Sequence, residues 1–392
     1  MRIEKLKEFI QSANINFLIG SGLSRPYLST LGDIETLLAD LNDNKESDNI
    51  KSLVKGSIYK SYFIQVMYPN IDSEKAKNIG IYQQVIDQYS FFLEQWNQII
   101  HNRGGSLLAK QLNIYTTNID TFFENSAEKC KVELNDGFKG SVKPIFDEGN
   151  FQKSYTKNSV HFQNSTELPV FNLLKMHGSI NWSANEYGQI LNDSRLQLVD
   201  AISKELSIIG DDFFISLKDS LSEMIEDAKT KIGGQKIKVG TRLKKFFDAY
   251  EKLIIVNPTK RKFSETVLDI HFYDLMRMFS NSLEKENSLL MVMGFSFGDE
   301  HIASIVERAT RTNPTLLVAI FAHSDADEEK YQTKFKSNSN VVIFTPTNFN
   351  SANKEAMEKF GIDNIVEFDF SGINKVFEWI SRMIPVSFNY GK

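Results

Sequence analysis

The stretch that decides the fold is Ile15-Asn16-Phe17-Leu18-Ile19-Gly20-Ser21-Gly22-Leu23-Ser24, an apolar run that leads directly into a glycine-rich turn. Three more segments follow short apolar runs in the same way: Thr117-Asn118-Ile119-Asp120, His177-Gly178-Ser179 and Gly294-Phe295-Ser296-Phe297-Gly298-Asp299. Open α/β sheets bind ligands at the carboxyl ends of their strands. The four segments therefore predict a single ligand site at one edge of a sheet.

Short apolar runs alternate with stretches of helical spacing along much of the chain. We predict strands at 15–19, 113–117, 172–176, 253–256, 289–293, 316–320 and 341–344. We predict helices at 2–13, at 33–41, from about residue 121, at about 263–285 and at 372–383. The later strands are apolar almost throughout, as in parallel sheets that are covered on both faces. The predicted fold class is α/β, with a doubly wound, mostly parallel Rossmann-like sheet and two helical insertions.

The domain organisation predicted from these patterns is a single domain over residues 1–392. Its core comprises 1–41, 105–182 and 251–392, and its helical insertions are 42–104 and 183–250. Residues 135–169 are rich in Gly, Asn, Ser and Lys and are predicted to be loop.

Composition indicates a globular protein and argues against several function classes. Hydrophobic residues make up 41% and charged residues 24% of the 392 residues, and the net charge of −5 gives no electrostatic footprint for direct nucleic-acid binding. The one cysteine, Cys130, forms no internal disulfide and builds no cysteine zinc site, so no metal is expected. Neither a signal-peptide pattern nor a run of 18 apolar residues is seen, so we expect a cytoplasmic protein without membrane contact.

The Gly20–Ser24 turn has the composition of a phosphate-binding loop. Glycines allow a tight turn and close approach of a pyrophosphate, and Ser24 adds a hydroxyl. Arg25 stands where the usual dinucleotide fingerprint has its third glycine. The alternative for this segment alone is an ordinary turn between a strand and a helix.

Asn118 and Asp120 lie two residues apart at a strand end, so we expect their side chains to point the same way. A carboxamide beside a carboxylate suits the binding of a ribose or of a reacting water. The alternative is that Asp120 caps the helix that starts near Thr121.

His177 also ends a strand, and a histidine there can take a proton from a hydroxyl or a water. The alternative is a structural histidine at a turn. Gly294 to Ser296 form a small-residue turn that can bring backbone amides to a nucleotide, and Asp299 has the position of a helix N-cap.

Together these segments resemble the sirtuin family, whose pattern is G-A-G-x-S, then Q/T-N-x-D, then H-G, then a late G-x-S. The four motifs occur here in the same order, across about residues 14–345. The resemblance implies NAD⁺ as the bound nucleotide. It assigns the pyrophosphate to Gly20, Ser21, Gly22 and Ser24, the nicotinamide ribose to Thr117, Asn118 and Asp120, the general base to His177, and the adenosine side to Gly294 and Ser296.

The departures from the family pattern point to one branch of it. A single cysteine cannot build the four-cysteine zinc module of sirtuin deacylases, and the family's G-I-P-D-F-R segment is absent. The chain looks more like bacterial sirtuin-like proteins of antiphage defence, which destroy NAD⁺ and often work beside a HerA-type ATPase. No P-loop occurs in the sequence, so such an ATPase would be a separate polypeptide.

The leading functional prediction is hydrolysis of NAD⁺ to nicotinamide and ADP-ribose, with Asn118, Asp120 and His177 as the catalytic residues. One alternative keeps the same site for sirtuin-type deacylation or ADP-ribosyl transfer. Another is a non-catalytic sensor or scaffold that binds NAD⁺ or ADP-ribose. The Phe and Tyr content of the insertions fits contacts in a homo-oligomer, with a satellite core as the alternative.

Overall fold

A seven-stranded sheet forms the centre of the protein in the computed structural model, which describes residues 1–30, 34–71, 79–103, 108–161, 165–233, 238–256, 268–335 and 338–385. The described strands are β1 Asn14–Ile19, β2 Gln111–Thr116, β3 Glu133–Asn135, β4 Phe138–Lys139, β5 Ile145–Phe146, β6 Thr156–Asn158, β7 Ser165–Glu167, β8 Val170–Lys175, β9 Trp182–Ala184, β10 Ile190–Asn192, β11 Ser288–Met293, β12 Leu317–Phe321 and β13 Val341–Phe344.

The described α-helices lie before, between and after these strands. They are α1 Ile3–Ser12, α2 Ile34–Asp43, α3 Asp48–Tyr62, α4 Ile79–His101, α5 Phe122–Cys130, α6 Gln197–Ile209, α7 Leu221–Ile232, α8 Val239–Tyr250, α9 Leu268–Glu284, α10 Glu300–Thr312, α11 Glu328–Lys334, α12 Pro346–Phe360 and α13 Phe370–Met383.

The central sheet is parallel throughout, with strand order β13-β12-β11-β1-β2-β8-β3. Every residue of β8, β11 and β12 is buried, because both faces of the sheet are covered by helices. The predicted fold class, an α/β protein with a Rossmann-like parallel sheet, is confirmed.

Alternate residues of β1 contribute to two different hydrophobic cores. Phe17 faces the first helical layer, which comprises α1, α4, α5, α12 and α13, and its ring packs edge-on against Phe92 and Trp96 of α4. Leu18 faces the second helical layer, which comprises α9, α10 and α11. The alternation follows from the two-residue period of a strand.

A third core lies at the carboxyl end of the sheet. Helices α2, α3, α6, α7 and α8, which we name the helical cap, bury their apolar faces against one another. Ile119 and Ile180, from the segments after β2 and β8, pack into this core. The helical cap is therefore attached to the same edge of the sheet that carries the candidate motifs.

The chain order creates a topological switch point between β1 and β11. The connection after β1 leads to β2 on one side, whereas the connection after β11 leads to β12 on the other. The connections diverge there, and the region outside the strand ends at such a point is the usual ligand position in these sheets.

The predicted strand at 253–256 is wrong. Ile255 forms only an isolated antiparallel bridge with Gly178, and the segment pairs with the turn after β8 rather than with a sheet strand. Leu253 and Ile255 pack into the core of the helical cap, so burial rather than sheet pairing explains their apolar pattern.

The prediction of a loop over 135–169 is wrong in part. The described residues of this range hold β4 to β7, and they include Asn135, the last residue of β3 at the edge of the central sheet. Asparagine side chains replace regular pairing there: Asn135 Nδ2 donates to the Asn150 carbonyl at 2.8 Å, and Asn150 Nδ2 donates to the Gly137 carbonyl at 2.7 Å. The polar composition thus marks short strands joined by side-chain-supported turns.

The two predicted insertions contribute to different parts of the fold. In 42–104, α3 belongs to the helical cap, whereas α4 packs against the sheet in the first helical layer. In 183–250, β10 and most of β9 join β4 and β5 in a four-stranded sheet, and α6 to α8 belong to the helical cap. The division into one core and two insertions stays a prediction, and the predicted helix residues 33 and 263–267 lie outside the described ranges.

No helix within the described ranges is both long and apolar enough to cross a membrane.

One ion pair joins the segment after β5 to the second helical layer and predicts a pH-dependent stability. Glu148 Oε1 lies 2.5 Å from His271 Nδ1 of α9, and this hydrogen bond raises the pKa of His271 and lowers that of Glu148. The raised pKa of His271 stabilises the fold at pH values below the unfolded pKa of histidine, about 6.5. The lowered pKa of Glu148 stabilises it at pH values above the unfolded pKa of glutamate, about 4.3. The stabilisation is therefore greatest between these values and declines as the pH rises through the folded pKa of His271.

We expect His271→Gln to lower the free energy of unfolding by roughly 0.5–1 kcal/mol near pH 6 and by less near pH 9. Urea unfolding of both proteins at the two pH values measures the difference. His323→Gln is the matched control, because His323 and Glu367 are exposed and 3.8 Å apart. An equal effect of His271→Gln at both pH values would contradict the assignment.

Candidate functional site

The turn after β1 packs directly on the turn after β11. The Gly20 and Gly22 amides donate to the carbonyls of Met293 and Gly294, each at 3.1 Å. A Cβ at position 20 would lie 2.5 Å from the Gly294 carbonyl oxygen, and one at position 22 would lie 2.9 Å from Gly294 Cα. These two glycines therefore permit close contact between neighbouring turns at the switch point, and their amides are used within the protein.

Ser24 lies buried at the centre of a polar network. Its Oγ is 2.9 Å from Asp120 Oδ2, 2.9 Å from the Tyr89 hydroxyl and 3.2 Å from Asn118 Nδ2. Asn118 and Asp120 thus reach the same atom, which confirms the prediction that their side chains point the same way. The network joins the ends of β1 and β2 to α4 of the first helical layer.

Only the Nδ2 side of the Asn118 carboxamide is hydrogen-bonded to the described residues. Its backbone amide donates to Thr116 Oγ1 at 3.0 Å, and its Nδ2 donates to Ser24. The residue is 5% exposed, and its Oδ1 is buried with no hydrogen-bond partner among the described residues. A buried carbonyl oxygen without a partner is costly, so Asn118 Oδ1 is a candidate acceptor for a donor from a ligand or a water; Glu124 Oε2 nearby also lacks a hydrogen-bond partner among the described residues.

Asp120 uses both carboxylate oxygens within the protein. Oδ2 accepts from Ser24, and Oδ1 accepts from the Phe122 amide, the first of α5, although the N-cap of that helix is Thr121 rather than Asp120. Burial raises the pKa of Asp120, while the nearby Lys175 ammonium acts in the opposite direction. Its contacts therefore suit the positioning of neighbours rather than direct attack on a substrate.

Lys175, the last residue of β8, is a buried cation that the sequence analysis missed. It is 3% exposed and donates to the Asp120 carbonyl and to Ser179 Oγ, and it pairs with Glu124 Oε1 at 2.6 Å. This side chain ties the segment after β8 to the segment after β2. The available signal was a lysine within a mostly apolar buried strand, since lysine is almost never fully buried without a partner.

His177 forms a dyad with Asp299. His177 Nε2 lies 3.0 Å from Asp299 Oδ2, and the two side chains are 12% and 8% exposed. Asp299 Oδ1 accepts from the amides of His301 and Ile302, so the same carboxylate caps α10. With Nε2–H donating to the carboxylate, Nδ1 of a neutral imidazole carries the lone pair that can accept a proton.

The dyad spans the edge of the sheet. Asp299 follows β11 and His177 follows β8, with β1 and β2 between those strands. Neighbouring strands lie about 4.8 Å apart, so the two strand ends are separated by roughly 14 Å. The segment from Gly294 to Asp299 therefore extends along the carboxyl edge, beside the glycine turn and the Asn118 segment.

Gly178 is required by the backbone next to His177. Its φ is +75°, and a Cβ there would lie 2.0 Å from the Ile254 carbonyl oxygen. The amide of Val256 donates to the His177 carbonyl at 2.9 Å. The glycine after the histidine thus allows the close contact with 254–256.

The remaining predicted site residues have less defined surroundings. Gly294, with φ of +60°, contacts Leu23 of the first turn. Thr117 and Ser21 are half-buried, and the Thr117 amide donates to the Ile19 carbonyl at 3.3 Å. Ser296 is exposed between two buried phenylalanines.

The sequence analysis also missed two features of the site: the contact of Tyr89 with Ser24 and the pairing of Asp299 with His177. Tyr89 lies on α4 within a predicted insertion, and nothing in its local sequence indicates a contact with Ser24. Asp299 was recognised only as a helix cap, and the contact of its second oxygen depends on the path of the Gly294–Asp299 segment.

Comparison with protein-family models and with curated proteins finds no match to this chain. The sirtuin resemblance therefore stays a hypothesis that rests on the sequence motifs alone. Within the described ranges, no group of three His, Cys, Asp or Glu side chains is arranged to hold a metal ion.

The buried Lys175 predicts a large stability effect. Lys175→Met removes the cation from Glu124, whose side chain is 17% exposed, and leaves a largely buried carboxylate without its partner. We expect a loss of about 3 kcal/mol in the free energy of unfolding.

Lys129→Met is the matched control, since Lys129 pairs with Asp87 on the surface, where the side chains are 47% and 55% exposed. We expect this variant to lose less than about 1 kcal/mol. Urea unfolding of both variants measures the difference between their losses in the free energy of unfolding. Similar losses would contradict the prediction that the buried pair contributes more than the exposed one.

Proposed function

We propose that this protein cleaves the N-glycosidic bond of NAD⁺ and releases nicotinamide and ADP-ribose. The observation that carries the proposal is the buried Asn118 carboxamide, whose Oδ1 has no protein partner within the described ranges. It lies at the switch-point edge that also carries the His177–Asp299 dyad. A binding module needs no base held by a carboxylate, which favours an enzyme over a sensor.

The switch-point edge of the sheet suits a dinucleotide for two reasons. The turns at Gly20–Gly22 and Gly294 leave no room for side chains, so the backbone itself forms the wall at the switch point. The polar groups beside it, Ser21 and Thr117, are half-buried and accessible. Since the Gly20 and Gly22 amides are already used, we assign the pyrophosphate to the accessible groups of the turn rather than to those two amides.

The chemistry follows from the bond to be broken. Nicotinamide leaves as a neutral molecule, so no strong general acid is needed, and the ribose acquires oxocarbenium character. Asn118 Oδ1 would accept a hydrogen bond from the attacking water or from a ribose hydroxyl. His177 Nδ1 would take the proton from that water, and Asp299 would stabilise the resulting imidazolium.

The physiological role in this proposal is depletion of NAD⁺ in the bacterial cytoplasm during phage infection. An uncontrolled NAD⁺ hydrolase would harm its own cell, so the proposal includes restraint by homo-oligomer assembly or by a separate HerA-type ATPase. Both partners follow from the resemblance to antiphage sirtuin-like proteins.

We expect His177→Ala and Asn118→Ala to fold normally and to lose NAD⁺ cleavage by roughly 10²- to 10⁴-fold. Chromatographic measurement of nicotinamide and ADP-ribose, with and without the neighbouring-gene ATPase, provides the assay. Wild-type turnover in both variants would refute the site. NAD⁺ binding without cleavage in the wild-type protein would favour a sensor.

A second prediction concerns the carboxylate of the dyad. Asp299→Asn keeps a side-chain oxygen for the cap of α10 but removes the charge that faces His177, so we expect near-normal stability and about 10²-fold slower cleavage. Asp369→Asn is the matched control, because Asp369 caps α13 through the Gly372 amide. Equal cleavage rates for the two variants would exclude Asp299 from the reaction.

A further inference from the structure

The hydroxyl of Tyr89 is a buried polar group that the proposed reaction does not use directly. It lies 2.9 Å from Ser24 Oγ and 3.5 Å from Asn118 Nδ2. The Tyr89 ring packs edge-on against Phe123 and Phe370, each with centroids 4.8 Å apart. The ring is therefore fixed in place, and its hydroxyl is presented to the network at a fixed position.

For an ionised Asp120 carboxylate, counting protons determines the direction of each hydrogen bond. Ser24 has one hydroxyl proton and donates it to Oδ2 of the Asp120 carboxylate. The other oxygen of that carboxylate accepts from a backbone amide. The 2.9 Å contact between Ser24 and Tyr89 therefore requires Tyr89 to donate. Both hydroxyl oxygens can then only accept from the third member of the network, Asn118.

This ordering selects one orientation of the Asn118 carboxamide. With Nδ2 toward the two hydroxyls, its protons meet acceptors at 3.2 Å and 3.5 Å. With Oδ1 toward them, an acceptor would lie 3.2 Å from Ser24 Oγ, whose proton is already committed to Asp120. The second arrangement is repulsive, so Oδ1 must face away from the network.

We propose that Tyr89 is a positioning residue that, with Ser24 and Asp120, fixes the Asn118 carboxamide so that its Oδ1 is presented to the ligand. This inference rests on the proposed function. It also specifies the chemistry of the ligand group at this point, which must be a hydrogen-bond donor such as a hydroxyl, an amide N–H or a water.

The kinetic test compares two buried tyrosines. Tyr89→Phe removes the donor to Ser24 and one acceptor of Asn118, so we expect kcat for NAD⁺ cleavage to fall about five- to tenfold. Tyr115→Phe is the matched control: its hydroxyl is also buried, but it donates to the Met278 carbonyl of α9 at 3.2 Å. We expect normal kcat in that variant.

A double-mutant cycle shows whether Tyr89 acts through Asn118. If it does, Tyr89→Phe has no further effect on the residual rate of Asn118→Ala, because the group that it positions is gone. An equal fold-loss in the wild-type and Asn118→Ala backgrounds, or wild-type kcat in Tyr89→Phe, would overturn the proposal.

A spectroscopic measurement separates this inference from the proposed function. In protein with ¹⁵N-labelled asparagine, the side-chain NH₂ resonances of Asn118 are identified by their absence in Asn118→Ala. We expect Tyr89→Phe to shift them and to speed their hydrogen exchange, and Tyr115→Phe to leave them unchanged. Unchanged resonances in Tyr89→Phe would overturn the positioning role. Absence of NAD⁺ cleavage by the wild-type protein would overturn only the proposed function.

Discussion

The site is organised around one buried carboxylate, that of Asp120. Its two oxygens hold Ser24 from the turn after β1 and the first amide of α5, and its backbone carbonyl accepts from Lys175 at the end of β8. Three neighbouring strand ends are thus joined through one residue. The relative positions of the glycine turn, Asn118 and the His177 segment depend on these contacts.

Burying so many polar groups is costly, and the network offsets the cost by matching its donors to acceptors. The Lys175 ammonium donates to a carbonyl and to a hydroxyl and forms an ion pair with the Glu124 carboxylate. The Ser24 hydroxyl is hydrogen-bonded to each of its polar neighbours. In a low dielectric these bonds are stronger than in water, and an unmatched group is more costly. Two oxygens of this cluster, Asn118 Oδ1 and Glu124 Oε2, have no hydrogen-bond partner among the described residues, and Glu124 still has its ion pair with Lys175 through Oε1.

The second feature of the site is the double use of Asp299. A single carboxylate ends α10 in the correct geometry and holds the imidazole of His177. The helix cap fixes the carboxylate and so fixes the histidine, without a separate supporting residue. Gly20 and Gly22 pack closely against Gly294, and no larger residue fits at that contact. This packing fixes the position at which the Gly294–Asp299 segment begins. The Asp299 carboxylate therefore both stabilises the fold and takes part in the proposed reaction.

Several parts of this arrangement follow from local sequence. The apolar runs predicted the central strands, because residues of a doubly covered parallel sheet must be apolar on both faces. The order of polar motifs after those runs predicted one shared edge, and the spacing of Asn118 and Asp120 predicted their common direction. The error at 253–256 has the same physical origin, because burial in the helical cap produces the same apolar pattern as burial in a sheet.

The tertiary structure alone decided which polar groups meet. Tyr89 comes from a helix 65 positions beyond Ser24, and Asp299 lies 122 positions beyond His177. A lysine in a buried strand was visible in the sequence, but the three acceptors of Lys175 were determined only by the tertiary structure. Local pattern determined the strands, the turns and the edge that carries the site, because these depend on the periodicity of neighbouring residues. Long-range packing determined the hydrogen-bond partners, because directional contacts depend on how distant elements are placed against one another.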